Sequence, residues 1–485
     1  MNIVVIGSGI SASIVAKTFL EHNHKVHLID AGNILDNEKI ELKKKYKILP
    51  NIKKSPKFDN KPLVDSIKRF KKKYKIKTKN FFLVSGLISG GLSNFWGGGL
   101  ETPTSSYLKK YFFGNLILKE QKYIDRELKI DKYKLSFFDF FFNQKIIKKM
   151  LKKNDKNLYF SKFLLAIKQY NKKKLSINDY DKVDLLSGYN KHIYNSKFYI
   201  TDLLKNKNFT YTPNTFIENI KKYKKKYKIV SNNKKISNLN FNKIIISAGT
   251  VGSTILVDRI LNNSGKYRLF HTPILKLMYF SFLLPFKIKS RIKFSLPLLN
   301  LNIHIKNEKF SGAFMQLNNI SNNFFRISKL NILFSFIKKF IFIGNIFLPS
   351  NYSNTFIKIN KSKTLIYSNN NFNKNNLILS IKKKLNPYLS KFNLFEFSPQ
   401  NLKFLQNGSD AHYTSTLINK NKNGKQLIND YCELNNFKNV YVIDGSSIKE
   451  GLHFPTYFLM IYSRFISRLI INNEKKKQEL TLIHL

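Results

Sequence analysis

Cysteine is all but missing from this 485-residue chain, with Cys432 alone. A single thiol excludes an internal disulfide framework, a cysteine-ligated iron–sulfur cluster and a multi-cysteine zinc site; it makes a reducing cytoplasm the default expectation, and no metal site is expected. Long apolar runs are missing too: no window of about 18 uninterrupted apolar residues occurs, so no membrane-spanning helix is expected. The nearest approach, Leu330 to Leu348, is broken by Lys338 and Lys339 and reads as a buried or interfacial segment. There are no internal repeats. An ordered motif begins at residue 2, so no signal peptide is expected.

Acidic residues are scarce as well, 29 against 85 Lys and Arg, for a formal charge of +56. Such an excess invites a nucleic-acid or anionic-membrane reading. The lysines, however, are scattered (Lys43 to Lys45, Lys71 to Lys73, Lys172 to Lys174, Lys224 to Lys226, Lys475 to Lys477) and accompany abundant Asn, Ile, Phe and Tyr. Codons for that set are rich in A and T, so base composition accounts for it without selection for binding. Charge runs are usually solvated faces. No nucleic-acid recognition module is visible, and nucleic acid is not an expected partner. Peripheral contact with an anionic membrane, or a phosphorylated substrate, stays open. The length and the 43% hydrophobic content suit a globular protein with large cores and two domains.

What is present begins at the N-terminus. Ile3 to Ile6 reads as a short apolar strand, followed by the turn Gly7-Ser8-Gly9-Ile10-Ser11-Ala12, a helix, and a second strand from Val26 to Ile29 ending on Asp30. This is a dinucleotide-binding fingerprint in its proper context, with Ala12 at the place that accepts Gly or Ala. Gly7 makes the tight turn, Gly9 lets a pyrophosphate approach the backbone, and Ala12 lets helix and strand pack closely. The helix N-terminus offers N–H groups and a partial positive charge of about +0.5 to phosphates. Asp30 is placed to accept hydrogen bonds from ribose hydroxyls. The fingerprint alone does not choose between NAD and FAD.

Beyond Asp30, a lysine-rich stretch to about Asn80 with Pro50, Pro56 and Pro62 reads as an irregular surface excursion. Phe81 to Val84 then lead into the densest glycine cluster of the chain, Ser85 to Gly99, which holds its one tryptophan, Trp96. Residues Asn115 to Lys129 have helical character. Strands are expected at Thr210 to Thr212, Phe216 to Ile220, Tyr227 to Val230 and Lys243 to Ser247, with a helix starting after Ala248-Gly249-Thr250. Residues of about 266 to 400 alternate apolar and polar positions, as in Leu299 to Ile305, which suits an antiparallel sheet. The last 85 or so residues return to α/β character, with a strand at Asn439 to Ile443, a turn at Asp444-Gly445-Ser446 and an amphipathic helix at Pro455 to Ile471.

Four separated segments together resemble the glucose–methanol–choline (GMC) family of FAD-dependent oxidoreductases. The first is the N-terminal fingerprint. The second, Gly90-Gly91-Leu92-Ser93-Asn94-Phe95-Trp96-Gly97-Gly98, is similar to the family's glycine-rich loop beside the flavin, where small residues let backbone lie against a flat cofactor. The third, Lys243 to Ser253 with Ala248-Gly249, is similar to the second family signature, and Thr215-Phe216-Ile217 resembles the strand that pairs its backbone with the adenine. The fourth lies near the C-terminus, where Asn439 to Ser446, with Asp444-Gly445, is similar to the turn that closes the flavin site. Ser409 to Thr416 resembles the segment holding the family's principal active-site histidine, which would be His412. Counting back from Arg464 places His453 at the second active-site position. The chain departs from the pattern at Ser415 (usually Gly), at Phe454 (often Pro, here one place later as Pro455), at Trp96 (often Asn), and in Leu186 to Ser196, where some relatives carry cysteines.

The resemblance implies an α/β (α+β overall) flavoprotein with a Rossmann-like FAD-binding domain from residues 1–130, 197–265 and 401–485. A substrate domain from 131–196 and 266–400 would lay an antiparallel sheet over the flavin. It implies oxidation of a CH–OH group in a sugar, polyol or other alcohol. Hydride would pass to flavin N5 while a histidine, with an unperturbed pKa of about 6.5, takes the hydroxyl proton. A second polar side chain would fix the developing alkoxide. The remaining histidines (His22, His24, His27, His192, His271, His304 and His484) are expected to be surface or structural. No second GxGxxG follows an internal strand, so the electron acceptor is expected to be external. The rival readings are a flavin-dependent sugar-nucleotide mutase or isomerase, and a basic membrane-surface protein with a vestigial flavin fold.

Overall fold

The N-terminal run Asn2–Ile6 (β1) is buried at four of its five positions, as the interior strand of a parallel sheet must be. In this computed structural model the described residues are 1–33, 61–101, 114–128, 144–153, 155–166, 193–223, 226–237, 239, 241–281, 299–317, 336–361, 363–369, 372–396, 402–418 and 426–483. From β1 the chain passes through the glycine turn into Ile10–Leu20 (α1) and on to Lys25–Ile29 (β2). Lys61–Lys73 (α2) and Ile76–Lys79 (β3) follow, where irregular chain was expected. Leu63, Ile67 and Phe70 recur at helical spacing and are buried on one face, and the charged residues between and after them, Asp65, Lys68, Arg69 and Lys71 to Lys73, hide the period. Pro62 sits in the first turn, where a missing N–H breaks no helical bond. Pro50 and Pro56 lie outside the described residues.

Gly99–Leu100 (β4), Gly114–Leu128 (α3), Gln144–Lys152 (α4), Leu158–Lys162 (β5), Leu164–Leu165 (β6) and Ser196–Leu203 (α5) come next. The strands expected before residue 250 form as Phe209–Thr212 (β7), Ile217–Tyr223 (β8), Lys226–Ser231 (β9) and Lys243–Ile246 (β10), and Thr250–Leu261 (α6) starts after Gly249. The alternating region holds Lys266–Leu269 (β11), Ile274–Ser281 (β12), Leu299–Ile305 (β13), Glu308–Gln316 (β14), Ile341–Phe347 (β15), Thr355–Asn360 (β16) and Lys363–Ser368 (β17). A helix, Lys374–Ser390 (α7), interrupts it before Leu394–Glu396 (β18) and Lys403–Phe404 (β19). Val440–Val442 (β20) and Pro455–Ile483 (α8) end the chain, the helix running past the expected Ile471.

These strands form two principal sheets of opposite kind. The first is parallel, in the order β20-β10-β1-β2-β7. Chain order reverses at β1, which has β10 on one side and β2 on the other, so the crevice at the carboxyl end of β1 is a topological switch point, the usual ligand site of such sheets. The second is antiparallel, in the order β18-β12-β15-β14-β13-β5, with β19 also pairing β12. Its two faces differ. Leu275, Leu277, Phe314, Phe342 and Ile346 point into a core shared with α4 and α7. The register pairs Ala313 with Asn345 and Ile274 with Phe347 on the other face, and these four residues border the cleft described below. The fold is thus α/β with a parallel sheet and an antiparallel sheet beside it.

A smaller mixed sheet, β11-β16-β17-β3, completes the first unit. Tyr267, Ile357, Ile359 and Ile366 share one core with Val4, Ile244 and Val440. Residues 355–368, read in the sequence with the antiparallel unit, therefore pack under the parallel sheet. Among the described residues no helix is long and apolar enough to cross a membrane, and Lys338, in the doubtful apolar run, is buried just ahead of β15.

Candidate functional site

The turn after β1 shows why glycine is needed at its head. Gly7 has φ +116°, and a Cβ there would lie 2.2 Å from the Ser247 carbonyl oxygen at the end of β10. Its N–H donates to Ile29 O at 2.7 Å, so the turn is pinned between both neighbouring strands. Gly9 is the N-cap of α1, no side chain caps that end, and a Cβ on Gly9 would meet nothing within 4 Å. Gly7, Gly9, Ile10 and Ser11 border a continuous cleft with a cavity volume of about 370 Å³. Ala12 is fully buried in the core between helix and sheet and does not border it.

Asp30 closes this end of the cleft. Its Oδ2 accepts from Ser8 Oγ at 2.6 Å and from Tyr211 OH at 3.4 Å. Burial pushes the carboxyl up to about 6, against the hydrogen bonds from Ser8, Gly32 and Tyr211 that favour its charged form. The second glycine loop lies against the first, with Gly91 facing Gly9 so closely that a Cβ would sit 3.2 Å from the Gly9 Cα. Gly91 and Ser93 border the cleft, whereas Gly90 and Asn94 stand behind them. Gly90 N–H donates to Ser8 Oγ at 2.9 Å, joining the two loops. Asn94 is a clip: its amide donates to Ser89 O and Gly91 O and accepts from Asn195 Nδ2, all at 2.8 Å. Trp96 borders the cleft and is anchored by a 2.7 Å bond from Nε1 to Tyr194 O.

Phe216 and Ile217 border the far end of the same cleft, with Leu63, Phe70 and Tyr74 of the α2 region opposite. Tyr74 stands edge-on to Phe216 at 5.0 Å. Phe216 N–H is already given to Asn232 Oδ1 at 2.7 Å, so its own backbone donor is engaged within the protein. Ala248 and Gly249 border the middle, Gly249 as the N-cap of α6 with its backbone N–H bonded to the Asp444 carboxylate. Asp444 and Gly445 do so too. Asp444 is buried and accepts from Ser253 Oγ at 2.5 Å and from Ser446 N at 2.8 Å; burial raises its carboxyl above the ordinary range. A Cβ on Gly445 would lie 2.6 Å from Tyr413 O, so this glycine lets the 409–416 segment dock.

His412 borders the other end of the cleft, among Phe163, Ile274, Asn345, Phe347, Leu405 and Phe454. Its ring lies 5.3 Å from Phe347 and 5.8 Å from Phe454. Behind it stands Asp410, whose Oδ2 accepts the N–H groups of Thr272 and His412, each at 3.0 Å, and whose Oδ1 lies 3.1 Å from His271 Nδ1. Burial pushes the Asp410 carboxyl up, but the His271 imidazole and these donors outweigh it and hold it below the ordinary carboxylate range. His271, expected to be surface or structural, is fully buried in this group. Asp410 was not singled out from the sequence; its one available signal was its place two residues before His412.

His453 is one residue from the cleft but does not border it; Phe454, Pro455 and Thr456 do. Burial lowers its imidazole to about 4, with Glu101 opposing and Lys309 adding to that shift. Glu101 pairs with Lys309 at 2.5 Å and accepts from Ser311 Oγ at 3.1 Å. His453 Nε2 is buried without a hydrogen-bond partner among the described residues. The structure therefore brings the glycine loops, Asp30, Phe216, Ile217, Ala248, Gly249, Asp444, Gly445 and His412 to one cleft. It turns the 453–454 pair so that the phenylalanine stands beside His412.

The residues present fit a dinucleotide. The α1 N-terminus, which no side chain caps, opens on the cleft, the Cβ directions of Gly9 and Gly249 are empty, and an acid follows β2. No protein-family model matches the chain, and no curated protein matches it. Among solved structures, pyridoxine 4-oxidase from Mesorbium loti matches with a TM-score of 0.58 over 96% of this chain and 98% of that chain, at 10% sequence identity. That likeness shows the fold, and a fold by itself does not choose an activity.

Proposed function

We propose that the chain is an FAD-dependent oxidoreductase acting on the CH–OH group of an alcohol. One observation carries the reading: a single continuous cleft joins an uncapped α1 N-terminus and Asp30 to His412, with the antiparallel sheet contributing the wall at the histidine end. Bound there, FAD would supply the acceptor for the hydride leaving the carbinol carbon. The α1 N-terminus would hold its phosphates, Asp30 its ribose hydroxyls, and the loop of Gly91 to Gly97 would lie along it. His412 would take the hydroxyl proton at one ring nitrogen, and Asn345, which borders the same cleft, would orient the substrate through its amide. The walls around His412 are mainly Phe163, Ile274, Phe347, Leu405 and Phe454. They suit an alcohol carried on an apolar or aromatic body better than a polyol, whose hydroxyls would need more partners. The electron acceptor would come from outside the chain.

The test is the visible absorption spectrum of the purified protein during a panel of aryl, alkyl and sugar alcohols. Bound flavin that bleaches with an alcohol is the expected result; protein with no flavin and no affinity for it would sink the reading. His412→Ala should keep the flavin and slow bleaching by about 10²–10⁴-fold. Products with no net redox change would favour the sugar-nucleotide mutase reading.

A further inference from the structure

Behind His412 lies a group of polar atoms that no family pattern singled out. Thr272 Oγ1 is 3.3 Å from His412 Nδ1 and 3.3 Å from Asp410 Oδ2. The same Oδ2 accepts the backbone N–H of His412 at 3.0 Å and that of Thr272 at 3.0 Å. Asp410, Thr272 and His271 are all buried, and Thr272 is wholly inaccessible.

A threonine hydroxyl has one proton and an ionised carboxylate has none. Asp410 meets two backbone donors on Oδ2, so a proton on that oxygen would face N–H groups, and the carboxylate must act as acceptor. If Thr272 gave its proton to His412 Nδ1, its oxygen would be left facing Asp410 Oδ2 with no hydrogen between them. In one assignment both 3.3 Å contacts are hydrogen bonds: Thr272 donates to Asp410, and His412 Nδ1–H donates to Thr272. Nε2 then carries the lone pair.

We propose that Thr272 and Asp410 are positioning residues that fix His412 as the Nδ1–H tautomer, leaving Nε2 as the basic nitrogen of the ring. The inference gives a mechanism to the proton-accepting role proposed for His412 and rests on that reading only for its catalytic consequence. One carboxylate oxygen grips the backbone of His412 directly and its ring through a hydroxyl, while Phe347 and Phe454 hold the ring from the cleft side. An interposed threonine also keeps the charge of Asp410 one hydrogen bond away from the ring, so the histidine is oriented without being locked in a direct ion pair.

The decisive measurement needs no activity. In full-length protein labelled with ¹⁵N-histidine, with His412 assigned by His412→Gln, its neutral ring should show a protonated Nδ1 and a bare Nε2. A protonated Nε2 in the wild-type protein overturns the inference, whether or not the protein binds flavin. Thr272→Val should shift His412 toward the Nε2–H tautomer, and Thr272→Ser should keep the wild-type pattern; an unchanged tautomer in the valine variant also overturns it. In flavin-loaded protein, Thr272→Val should slow bleaching by about tenfold or more at unchanged half-saturating alcohol, with Thr272→Ser restoring it. Equal slowing in both variants would mark a packing role and overturn the proposal. Absence of flavin in the wild type would remove the proposed function and leave the tautomer measurement to decide this point.

Discussion

At the scale of single residues, burial sets which side chains respond to pH. Asp30 is held near 6 by burial, so in the free protein it is protonated below that value. Ribose hydroxyls donate to the charged form, so binding would draw the pKa back down. Cofactor affinity should therefore weaken as pH falls below about 6, with proton release on binding between about pH 4 and 6. Titration calorimetry in buffers of different ionisation enthalpy would detect that proton, and Asp30→Asn should abolish it. Burial shifts the pKa of His453 the other way. Its folded pKa of about 4 lies below the ordinary 6.5, so the unfolded chain takes up the proton first as pH falls. Its contribution is complete above about pH 6.5 and is lost toward pH 4, amounting to about 2 kcal/mol by pH 5. Urea unfolding at pH 7.5 and 5 should show that loss in the wild type and much less in His453→Gln. The contrast between the two histidines was only half legible. Their spacing from Arg464 and from the 409–416 segment was readable, but which of His453 and Phe454 faces the cleft depends on the backbone turn entering α8, and counting along a chain cannot supply that direction.

At the scale of elements, α8 is tied to the parallel-sheet unit by buried cations: Lys243 of β10, 2.9 Å from Glu474, and Arg464. Arg464 Nη1 reaches Glu21 at the end of α1 at 2.6 Å, and its Nε reaches Glu120 of α3 at 2.8 Å. The guanidinium also lies over the Tyr123 ring at 3.3 Å. Arg464→Met keeps much of the volume but removes the nearest cation from two carboxylates, leaving Glu21 the longer contact to Lys17 and Glu120 the longer contact to Arg468, each at 3.9 Å. It should cost about 2–3 kcal/mol in a denaturant titration, below the 3–5 of a fully buried pair because Glu21 is over a quarter exposed. Arg464→Lys should recover part of the loss. Strand β1, strand β10 and helix α1 were readable because their patterns are local and strong. Helix α2 was not, because seven of its thirteen residues are charged and the apolar period of Leu63, Ile67 and Phe70 had to be seen through them. Strands β16 and β17 were readable as strands, but their place under the parallel sheet was not, since alternation says that one face is buried and not against what.

At the scale of the whole molecule, a formal charge of +56 repels itself whatever its origin. Raising NaCl from about 0.05 to 0.5 M should raise the melting temperature as the Debye length shrinks from roughly 14 to 4 Å. A melting temperature that stays flat or falls would mean that the scattered lysines do not act as a collective field. Sedimentation with anionic liposomes that is lost over the same salt range would support the peripheral-membrane contact, and no sedimentation at low salt would remove it. The sequence by itself determined the glycine turn, the acid ending β2 and the alternation of the antiparallel strands, because each depends on neighbours within a few residues. Tertiary structure alone decided that His412, Asp410, Thr272 and His271 meet, and that Phe454 rather than His453 borders the cleft. Those residues come from segments some 140 positions apart or from a turn whose direction is set by packing, and long-range contact of that kind leaves no local period in a single chain.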